Sequence, residues 1–404
     1  MSKTGTAGIF GGRIRSDCLV QVEITASGGI SLDIQSKVNT LYGRSMRDLA
    51  RRMLEHFKIQ NAHIHIQDSG ALEFVLAARI EAAIKQVTET GEEFLLPANL
   101  DVFPKSEPGR FRFTRLYIPG NSPSMMLNAG IHKPDGVILD LEDSVAPGVK
   151  EEARILVRNA LRTIDFYGAE RMVRINQLPM GLKDLESIIG QQPDLVLIPK
   201  VESPDDLIAV ETRIMELSSE TDRGVFIMPI LESALGIERA FEIAIASKNI
   251  VAMAIGLEDY TADMGVQRTE NGEESFYARS RMLNACRAAG IQAIDSVYSD
   301  VDNESGLRET VSRSRSMGFE GMGCIHPRQV PVIHEAFRPG ADEIGKAMAV
   351  TLAFENAEKK GIGVVSLGSK MIDLPVVRRA QRTLALAQKM SLISKNWRKD
   401  HEKS

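Results

Sequence analysis

The sequence lacks the features of a membrane protein, a disulfide-rich protein or a nucleic-acid-binding protein. Its three cysteines, Cys18, Cys286 and Cys324, have neither metal-binding nor redox spacing, and an odd number makes no disulfide framework. No apolar run reaches the roughly 18 residues that span a bilayer, and residues 1–12 lack the apolar core of a signal peptide. A net charge of −5 gives no general attraction to nucleic acid or anionic lipid. We therefore expect a cytoplasmic protein with reduced thiols and neither a nucleic-acid nor a membrane partner.

The composition is that of a globular chain with a large core. Of 404 residues, 43% are hydrophobic and 25% are charged, which argues against overall disorder. The length favours one large α/β domain with a smaller companion.

Residues 1–90 show the pattern of a small α+β domain. Apolar and polar residues alternate over 20–24 and again over 30–34, and Ser27-Gly28-Gly29 between them predicts a β-hairpin. Two amphipathic helical stretches, separated by a short strand, follow. Residues 91–112 contain scattered prolines without a regular period, which is typical of a linker.

From residue 113 to about 390, short apolar strands alternate with helical stretches, which predicts a parallel α/β fold. Eight such units fit a (β/α)8 TIM barrel. The alternative is a doubly wound open sheet, but no glycine-rich nucleotide fingerprint follows any strand. The predicted strands are Arg115–Pro119, Gly136–Leu141, Arg171–Asn176, Leu195–Pro199, Val225–Leu231, Val251–Gly256, Gln292–Val297 and Gly321–Ile325. The charged residues 391–404 read as a frayed tail.

The second predicted strand ends in three carboxylates, Asp140, Glu142 and Asp143. Burying unpaired carboxylates costs several kcal/mol each, so such a group needs a cation, hydrogen-bond donors or a raised pKa. A solvated turn with a helix cap is the alternative interpretation.

Charged side chains also follow most of the other predicted strands. In a parallel barrel these strand ends meet at one rim, where the enzymes of this architecture keep their active sites. Oxygen ligands without nearby histidine or cysteine suit Mg²⁺. These residues are Arg174, Lys200, Glu202, Glu232, Glu258, Asp259, Asp295 and His326.

Residues 113–390 resemble the citrate lyase beta subunit, within the family of malyl-CoA and citramalyl-CoA lyases and HpcH/HpaI aldolases. The resemblance implies a Mg²⁺-bearing TIM barrel that cleaves β-hydroxyacyl thioesters by retro-Claisen chemistry. The matching motifs are D-L-E-D-S-V, V-R-I-N, I-P-K-V-E-S, P-I-L-E-S-A-L-G, G-L-E-D-Y-T-A-D-M-G, C-I-H-P-R-Q-V and M-I-D-L-P-V.

The same resemblance implies roles for individual residues. Glu232 and Asp259 match the metal ligands, and Arg174 matches the arginine that steadies the oxygen of the oxo-acid product. Asp373 matches an aspartate that reaches the neighbouring subunit's site as the acid/base; its alternative role is to cap the helix before Pro375. The side chains placed near the substrate or the metal's waters are Glu142, Asp143, Lys200 and Glu202.

Residues 5–87 resemble the citrate lyase acyl carrier, or gamma, subunit. The matching features are Ala7-Gly8, Ser16-Asp17, the strand I-S-L-D-I-Q-S and the closing G-A-L-E-F-V-L-A-A-R-I-E-A. In that family a serine carries a phosphoribosyl-dephospho-CoA arm, and Ser16 is the matching residue. Arg13 and Arg15 before it depart from the family pattern.

These observations together predict an acyl-carrier-like domain fused to a Mg²⁺-dependent lyase. We expect cleavage of a citryl or citramalyl thioester, carrier-bound or CoA-bound, to oxaloacetate or pyruvate and an acetyl thioester. One alternative is a lyase for free CoA esters, such as malyl-CoA or citramalyl-CoA, with an unmodified N-terminal domain. Another is a non-catalytic carrier or scaffold. The resemblance also implies a CoA/carrier transferase (alpha) subunit as a partner, and a homotrimer or homohexamer.

Overall fold

A computed structural model describes residues 3–98, 105–219, 224–359, 365–367 and 370–398. The chain divides into two compact units, Met1–Ile333 and His334–Ser404. The small N-terminal domain and the barrel both belong to the first unit, and the boundaries predicted between them at 90 and 113 stay a prediction. Part of the predicted linker, 99–104, and the end of the predicted tail, 399–404, lie outside the described residues.

The N-terminal region is a four-stranded sheet with two helices. The strands pair in the order β1-β2-β4-β3, with β1–β2 and β2–β4 antiparallel and β3–β4 parallel. The elements are β1 (Thr4–Gly8), β2 (Cys18–Ile24), β3 (Ile30–Ser36), α1 (Asn39–His56), β4 (Ala62–Asp68) and α2 (Glu73–Val87).

The predicted hairpin between β2 and β3 is wrong, because β4 lies between these two strands. Ile64 and Ile66 of β4 are fully buried, whereas most of β3 is exposed, so β4 takes the centre of the sheet and β3 an edge. Asn61, just before β4, ties the start of β3 to it: its side chain accepts a hydrogen bond from the Gly29 N–H at 2.8 Å.

The remainder of the first unit is a closed barrel of eight parallel strands. Neighbours pair in chain order from β5 to β11, and β12 pairs with β5. A parallel bridge between Asp295 and Met322 joins the two remaining edges and closes the ring. The strands are β5 (Thr114–Pro119), β6 (Gly136–Asp140), β7 (Glu170–Arg174), β8 (Leu195–Ile198), β9 (Phe226–Leu231), β10 (Ala252–Ile255), β11 (Gln292–Ile294) and β12 (Met322–Cys324).

Helices connect successive strands and cover the outside of the barrel. Local sequence sets their starts; α6, for example, begins with a capping box between Ser203 and Asp206 and has Pro204 in its first turn. The helices are α3 (Pro123–Asn128), α4 (Lys150–Thr163), α5 (Met180–Ile188), α6 (Pro204–Leu217), α7 (Ala234–Glu238), α8 (Ala240–Ala244), α9 (Leu257–Asp263), α10 (Phe276–Ala289), α11 (Glu304–Met317) and α12 (Gln329–Phe337). Short 3-10 turns occupy Ala129–His132, Pro147–Val149 and Ile189–Gln191.

Helix α2 joins the N-terminal sheet to the barrel. All its residues from Phe74 to Ile84 are buried, because the sheet covers one side and α4 of the barrel covers another. Within this contact Glu81 accepts two hydrogen bonds from Arg158, at 2.9 and 2.7 Å, and neither side chain is exposed. A buried pair of this kind is costly to break, so it fixes the two parts in one arrangement.

The second unit is built around two packed helices. Ile344 and Ala347 of one helix and Leu384 and Ala387 of the other form its core with Trp397. The elements are α13 (Ala341–Glu358), the antiparallel strands β13 (Val365–Leu367) and β14 (Lys370–Ile372), and α14 (Leu374–Lys389). Nowhere in the described chain does a helix combine the length and apolarity needed to cross a membrane.

Candidate active site

Arg174 and Asp140 form an ion pair with two hydrogen bonds at the carboxyl end of the barrel. They end the adjacent strands β7 and β6, where they are register partners. The Arg174 Nε and Nη2 donate to the two Asp140 oxygens at 2.7 and 2.8 Å. Burial alone would lower the pKa of Arg174, but the bonded carboxylate outweighs it and raises this pKa. The same pair lowers the pKa of Asp140 despite its burial, so both groups stay charged.

Two further carboxylates after β6 face the same guanidinium. Glu142 is buried and its Oε2 lies 2.8 Å from the Arg174 Nη1, while Asp143 is more exposed and lies 3.9 Å from it. The Gln177 side chain donates to the other Glu142 oxygen at 3.1 Å. Burial raises the pKa of Glu142, which Arg174 and Gln177 oppose. Arg174 also lies over the Tyr117 ring, 5.2 Å from its centroid.

Lys200 links the two predicted metal ligands. Its backbone N–H donates to the Glu232 Oε2 at 3.0 Å, and its ammonium lies 3.2 Å from the Asp259 Oδ1. Lys200 has a φ of 51°, a left-handed conformation that is uncommon for residues with a side chain. The left-handed conformation lets the Lys200 backbone bond to Glu232 while its ammonium contacts Asp259. Local strain of this kind is typical of functional sites.

Glu232 lies directly against the strand end that precedes Asp259. A Cβ atom placed on Gly256 would lie 2.3 Å from the Glu232 Oε1, so a larger residue here would force this carboxylate to move from its observed position. Glu232 follows β9 and Gly256 follows the neighbouring β10, three residues before Asp259. The adjacent strands therefore bring the two predicted ligands to one corner of the rim.

Negative charge exceeds positive charge in this corner. Burial, together with the charges of Glu142 and Asp259, raises the pKa of Glu232 to about 8. Arg174 contacts Asp140, and Lys200 contacts Asp259. The residues that line one cavity of about 410 Å³ include Tyr117, Asp140, Asp143, Arg174, Glu232 and Asp259.

Comparison with known proteins shows the family to which the chain belongs. Residues 114–327, more than half of the chain, match the family model described as HpcH/HpaI aldolase/citrate lyase. The chain belongs to the HpcH/HpaI aldolase/citrate lyase family. Residues 3–87 match a second model, an acyl-carrier family described as malonate decarboxylase delta subunit. Both resemblances that the motifs indicated are confirmed, as are the TIM-barrel fold and the carbon–carbon lyase class.

Individual relatives within the family align over most of their own length. The citrate lyase subunit beta of Leuconostoc mesenteroides subsp. cremoris is 39% identical over 289 residues, which cover 70% of this chain and 96% of the relative. The L-malyl-CoA/beta-methylmalyl-CoA lyase of Cereibacter sphaeroides is 31% identical over 308 residues, covering 70% and 97%. A crystal structure of CitE from Mycobacterium tuberculosis, in complex with magnesium, acetoacetate and coenzyme A, superposes with a TM-score of 0.58 at 30% identity, covering 69% and 98%.

The donor set at the rim fits a hard divalent cation. Glu232 and Asp259 supply oxygen atoms, and the proton that Glu232 holds up to about pH 8 marks a site where one more positive charge is favourable. In the described ranges no three side chains of histidine, cysteine, aspartate or glutamate lie close enough to form a ligand set by themselves. A bound Mg²⁺ would therefore take its other ligands from water and substrate, as this ion usually does.

Three of the predicted functional residues lie outside this cavity. Glu202 turns away from the cavity and accepts a hydrogen bond from the Ser233 hydroxyl at 2.6 Å. Ser16 lies in the N-terminal domain, half-buried in a turn with a φ of 60°. Asp373, in the second unit, caps α14 by accepting from the Val376 N–H at 3.2 Å. The cap is the alternative role that the sequence indicated, and the acid/base role of Asp373 stays a prediction.

Sequence reasoning missed two residues of the site. Asp140, the main partner of Arg174, was recognised as an acidic residue but had no role, although it comes first after the buried strand. Arg115 also lines the cavity. Its signal is the alternation of β5, which places Arg115 and Tyr117 on the same face of the strand, inside the barrel.

We expect Glu232 to contribute a stabilisation of the metal-free protein that is lost with rising pH, and Glu232→Gln to remove this contribution. The folded chain holds the Glu232 proton up to about pH 8, against an ordinary pKa of 4.5. The stabilisation is therefore complete below pH 4.5 and disappears as the pH rises through 8. Thermal unfolding in the presence of a chelator, at several pH values across this range, measures the effect. Glu242→Gln, which changes an exposed carboxylate of α8, should follow the wild type; parallel curves for Glu232→Gln and wild type would contradict the assignment.

Proposed function

We propose that this chain is a Mg²⁺-dependent lyase that cleaves a citryl or citramalyl thioester to an oxo-acid and an acetyl thioester. The observation behind this is the convergence of Glu232, Asp259 and Arg174 on one cavity at the carboxyl end of the barrel. Relatives named as citrate lyase, malyl-CoA lyase and citramalyl-CoA lyase subunits or enzymes support the substrate class. The family relationship favours an enzyme over a non-catalytic scaffold.

Arg174 is suited to hold and orient the oxo-acid half of the substrate. Two of the five N–H groups of the guanidinium donate to Asp140. The Nη1 lies 2.8 Å from the Glu142 Oε2 as an ion pair without a hydrogen bond, so its N–H groups remain for a substrate carboxylate or hydroxyl. Because Asp140 fixes the plane of the guanidinium through two bonds, these remaining donors have a set direction. The reaction needs a base to take the substrate hydroxyl proton, and the electron pair of the broken carbon–carbon bond passes to the thioester enolate.

Glu232 and Asp259 would hold Mg²⁺, with Lys200 keeping both carboxylates in place. When bound, this ion supplies a Lewis acid for the substrate carboxylate and hydroxyl oxygens. An acid must then protonate the enolate carbon, and on the basis of the resemblance we propose that Asp373 supplies it to the site of a neighbouring subunit.

Loss of either proposed ligand should abolish metal-dependent turnover without unfolding the barrel. Glu232→Gln and Asp259→Asn remove one ligand charge each and keep the side-chain shape, so we expect kcat/KM for a citryl thioester to fall by at least about 1,000-fold. Release of oxaloacetate with and without Mg²⁺ measures this. Glu242→Gln is the matched control and should behave as wild type. Turnover that persists in either ligand variant, or that is independent of Mg²⁺ in the wild type, would contradict the proposal.

The position of the Ser16 turn supports a substrate carried on the chain's own N-terminal domain. Arg79 of α2 donates to both oxygens of Asp17, the residue after Ser16, at 3.0 and 2.9 Å. The same guanidinium donates to Glu152 at 3.1 Å and to the Asn121 carbonyl at 3.4 Å. Asn121 and Glu152 lie in the connections after β5 and β6, so Arg79 ties the turn to the carboxyl-end rim. A thioester arm on Ser16 would start on the same side of the barrel as the cavity.

An intact-mass measurement of the protein from its native host decides between a carrier-bound and a free CoA substrate. If Ser16 carries a phosphoribosyl-dephospho-CoA arm, we expect the mass to exceed that of the chain by several hundred daltons, and Ser16→Ala to abolish the excess. An unmodified chain that cleaves malyl-CoA or citramalyl-CoA would support the alternative with free CoA esters. The transferase partner, the trimeric or hexameric assembly and the cytoplasmic location stay predictions.

A further inference from the structure

Arg115 is a buried arginine inside the barrel, beneath the proposed catalytic groups. It is the second residue of β5 and only 1% exposed. Its Nη1 lies 3.1 Å from the Met228 sulfur on β9, four strands away in the ring of eight and therefore on the opposite wall. The side chain thus crosses the barrel interior.

In the part of the chain that the structure describes, Arg115 has no carboxylate partner. Its Nε is buried without an acceptor, and its Nη1 contacts only a thioether, which is a weak acceptor. Burial lowers the pKa of Arg115. An isolated buried cation is costly, and proteins normally pair such a group. Other buried arginines do have carboxylate partners, namely Arg79, Arg112, Arg154, Arg158 and Arg279.

The acidic residue that influences Arg115 from nearby is already used elsewhere. Glu170 acts on Arg115 electrostatically, but its oxygens accept hydrogen bonds from Arg112, both at 2.7 Å, and from the Ser106 hydroxyl. Arg112 and Glu170 form a complete pair of their own. Arg115 is therefore not the second half of a structural ion pair.

Arg115 lines the same cavity as Arg174 and Glu232. Ala254 and Gly323, which are both small, line this cavity as well. One cavity therefore contacts a guanidinium at its rim and a second guanidinium in the barrel interior, and among the described residues the first has carboxylate partners and the second has none.

We propose that Arg115 binds a second carboxylate on the oxo-acid half of the substrate and so selects citryl over citramalyl thioesters. The inference rests on the proposed lyase function and narrows its substrate. A citryl group has a carboxymethyl arm where a citramalyl group has a methyl. The carboxylate would pair with the Arg115 guanidinium, whereas the methyl would leave it buried and unpaired. Sites built around a charged or hydrogen-bonding group discriminate strongly against analogues that lack its partner.

The kinetic test compares the two thioesters in the wild type, Arg115→Met and Arg115→Lys. We expect the wild type to favour the citryl over the citramalyl thioester by about 100-fold or more in kcat/KM, and Arg115→Met to lose most of that ratio. Arg115→Lys should keep part of it, because it retains the charge. Arg44→Met is the control, since Arg44 is an exposed arginine of α1 outside the cavity; it should leave the ratio unchanged. A ratio that Arg115→Met does not change would overturn the inference.

A binding test separates this inference from the lyase proposal. Titration of the Mg²⁺-loaded protein with oxaloacetate and with pyruvate should show tighter binding of oxaloacetate by the wild type, and loss of this preference in Arg115→Met. Removing an unpaired buried charge is often neutral or stabilising, so we expect this variant to fold. If neither thioester is cleaved but the preference for oxaloacetate depends on Arg115, the lyase proposal fails and this inference stands. Equal binding of the two acids by the wild type would overturn the inference. An Arg115→Met variant that is less stable and binds both acids equally more weakly would show that Arg115 has a structural role.

Discussion

The unbalanced negative charge around Glu232 is the constraint on which the active-site account depends. This carboxylate is almost wholly buried, lies against Gly256 and shares its surroundings with Asp259 and Glu142. Without a cation, such a group can remain buried only by keeping a proton, which is why its pKa is raised to about 8. Arg174 opposes the rise in the pKa of Glu232 only in part, because its guanidinium is bonded to Asp140 and lies against Glu142. A bound divalent ion would neutralise the negative charge that remains around Glu232.

The barrel is what makes this concentration of charge achievable. Consecutive parallel strands end at one rim, so residues far apart in the chain are held a few ångströms apart by the hydrogen-bonded register of β6, β7, β9 and β10. Lys200 further fixes the two proposed ligands, because its backbone N–H binds Glu232 and its ammonium binds Asp259. On the same rim, Arg79 holds the turn that contains Ser16, so the carrier-like domain and the cavity belong to one rigid arrangement.

Much of this arrangement could be predicted from sequence, and the failures have physical causes. The eight barrel strands were predictable because each is an apolar run followed by polar residues, and the site residues because they come directly after those runs. The hairpin of β2 and β3 failed because local turn signals cannot show that a later strand, β4, will pair with both. Glu202 follows a strand as the other site residues do, but its side chain accepts a hydrogen bond from Ser233, the cap of α7, a partner that sequence spacing does not show. Arg115 was missed because its proposed role depends on its lacking a carboxylate partner among the described residues, which the three-dimensional structure reveals and the sequence does not.

Proton release on metal binding tests the central claim most directly. If Mg²⁺ binds at Glu232, the proton that this group holds near neutral pH must leave when the ion arrives. Calorimetric titration at pH 7 with Mg²⁺, in buffers that differ in ionisation enthalpy, should show close to one proton released per ion bound. The Glu232→Gln variant should show neither tight binding nor proton release. Tight Mg²⁺ binding without proton release, or equal behaviour of the variant, would contradict the account.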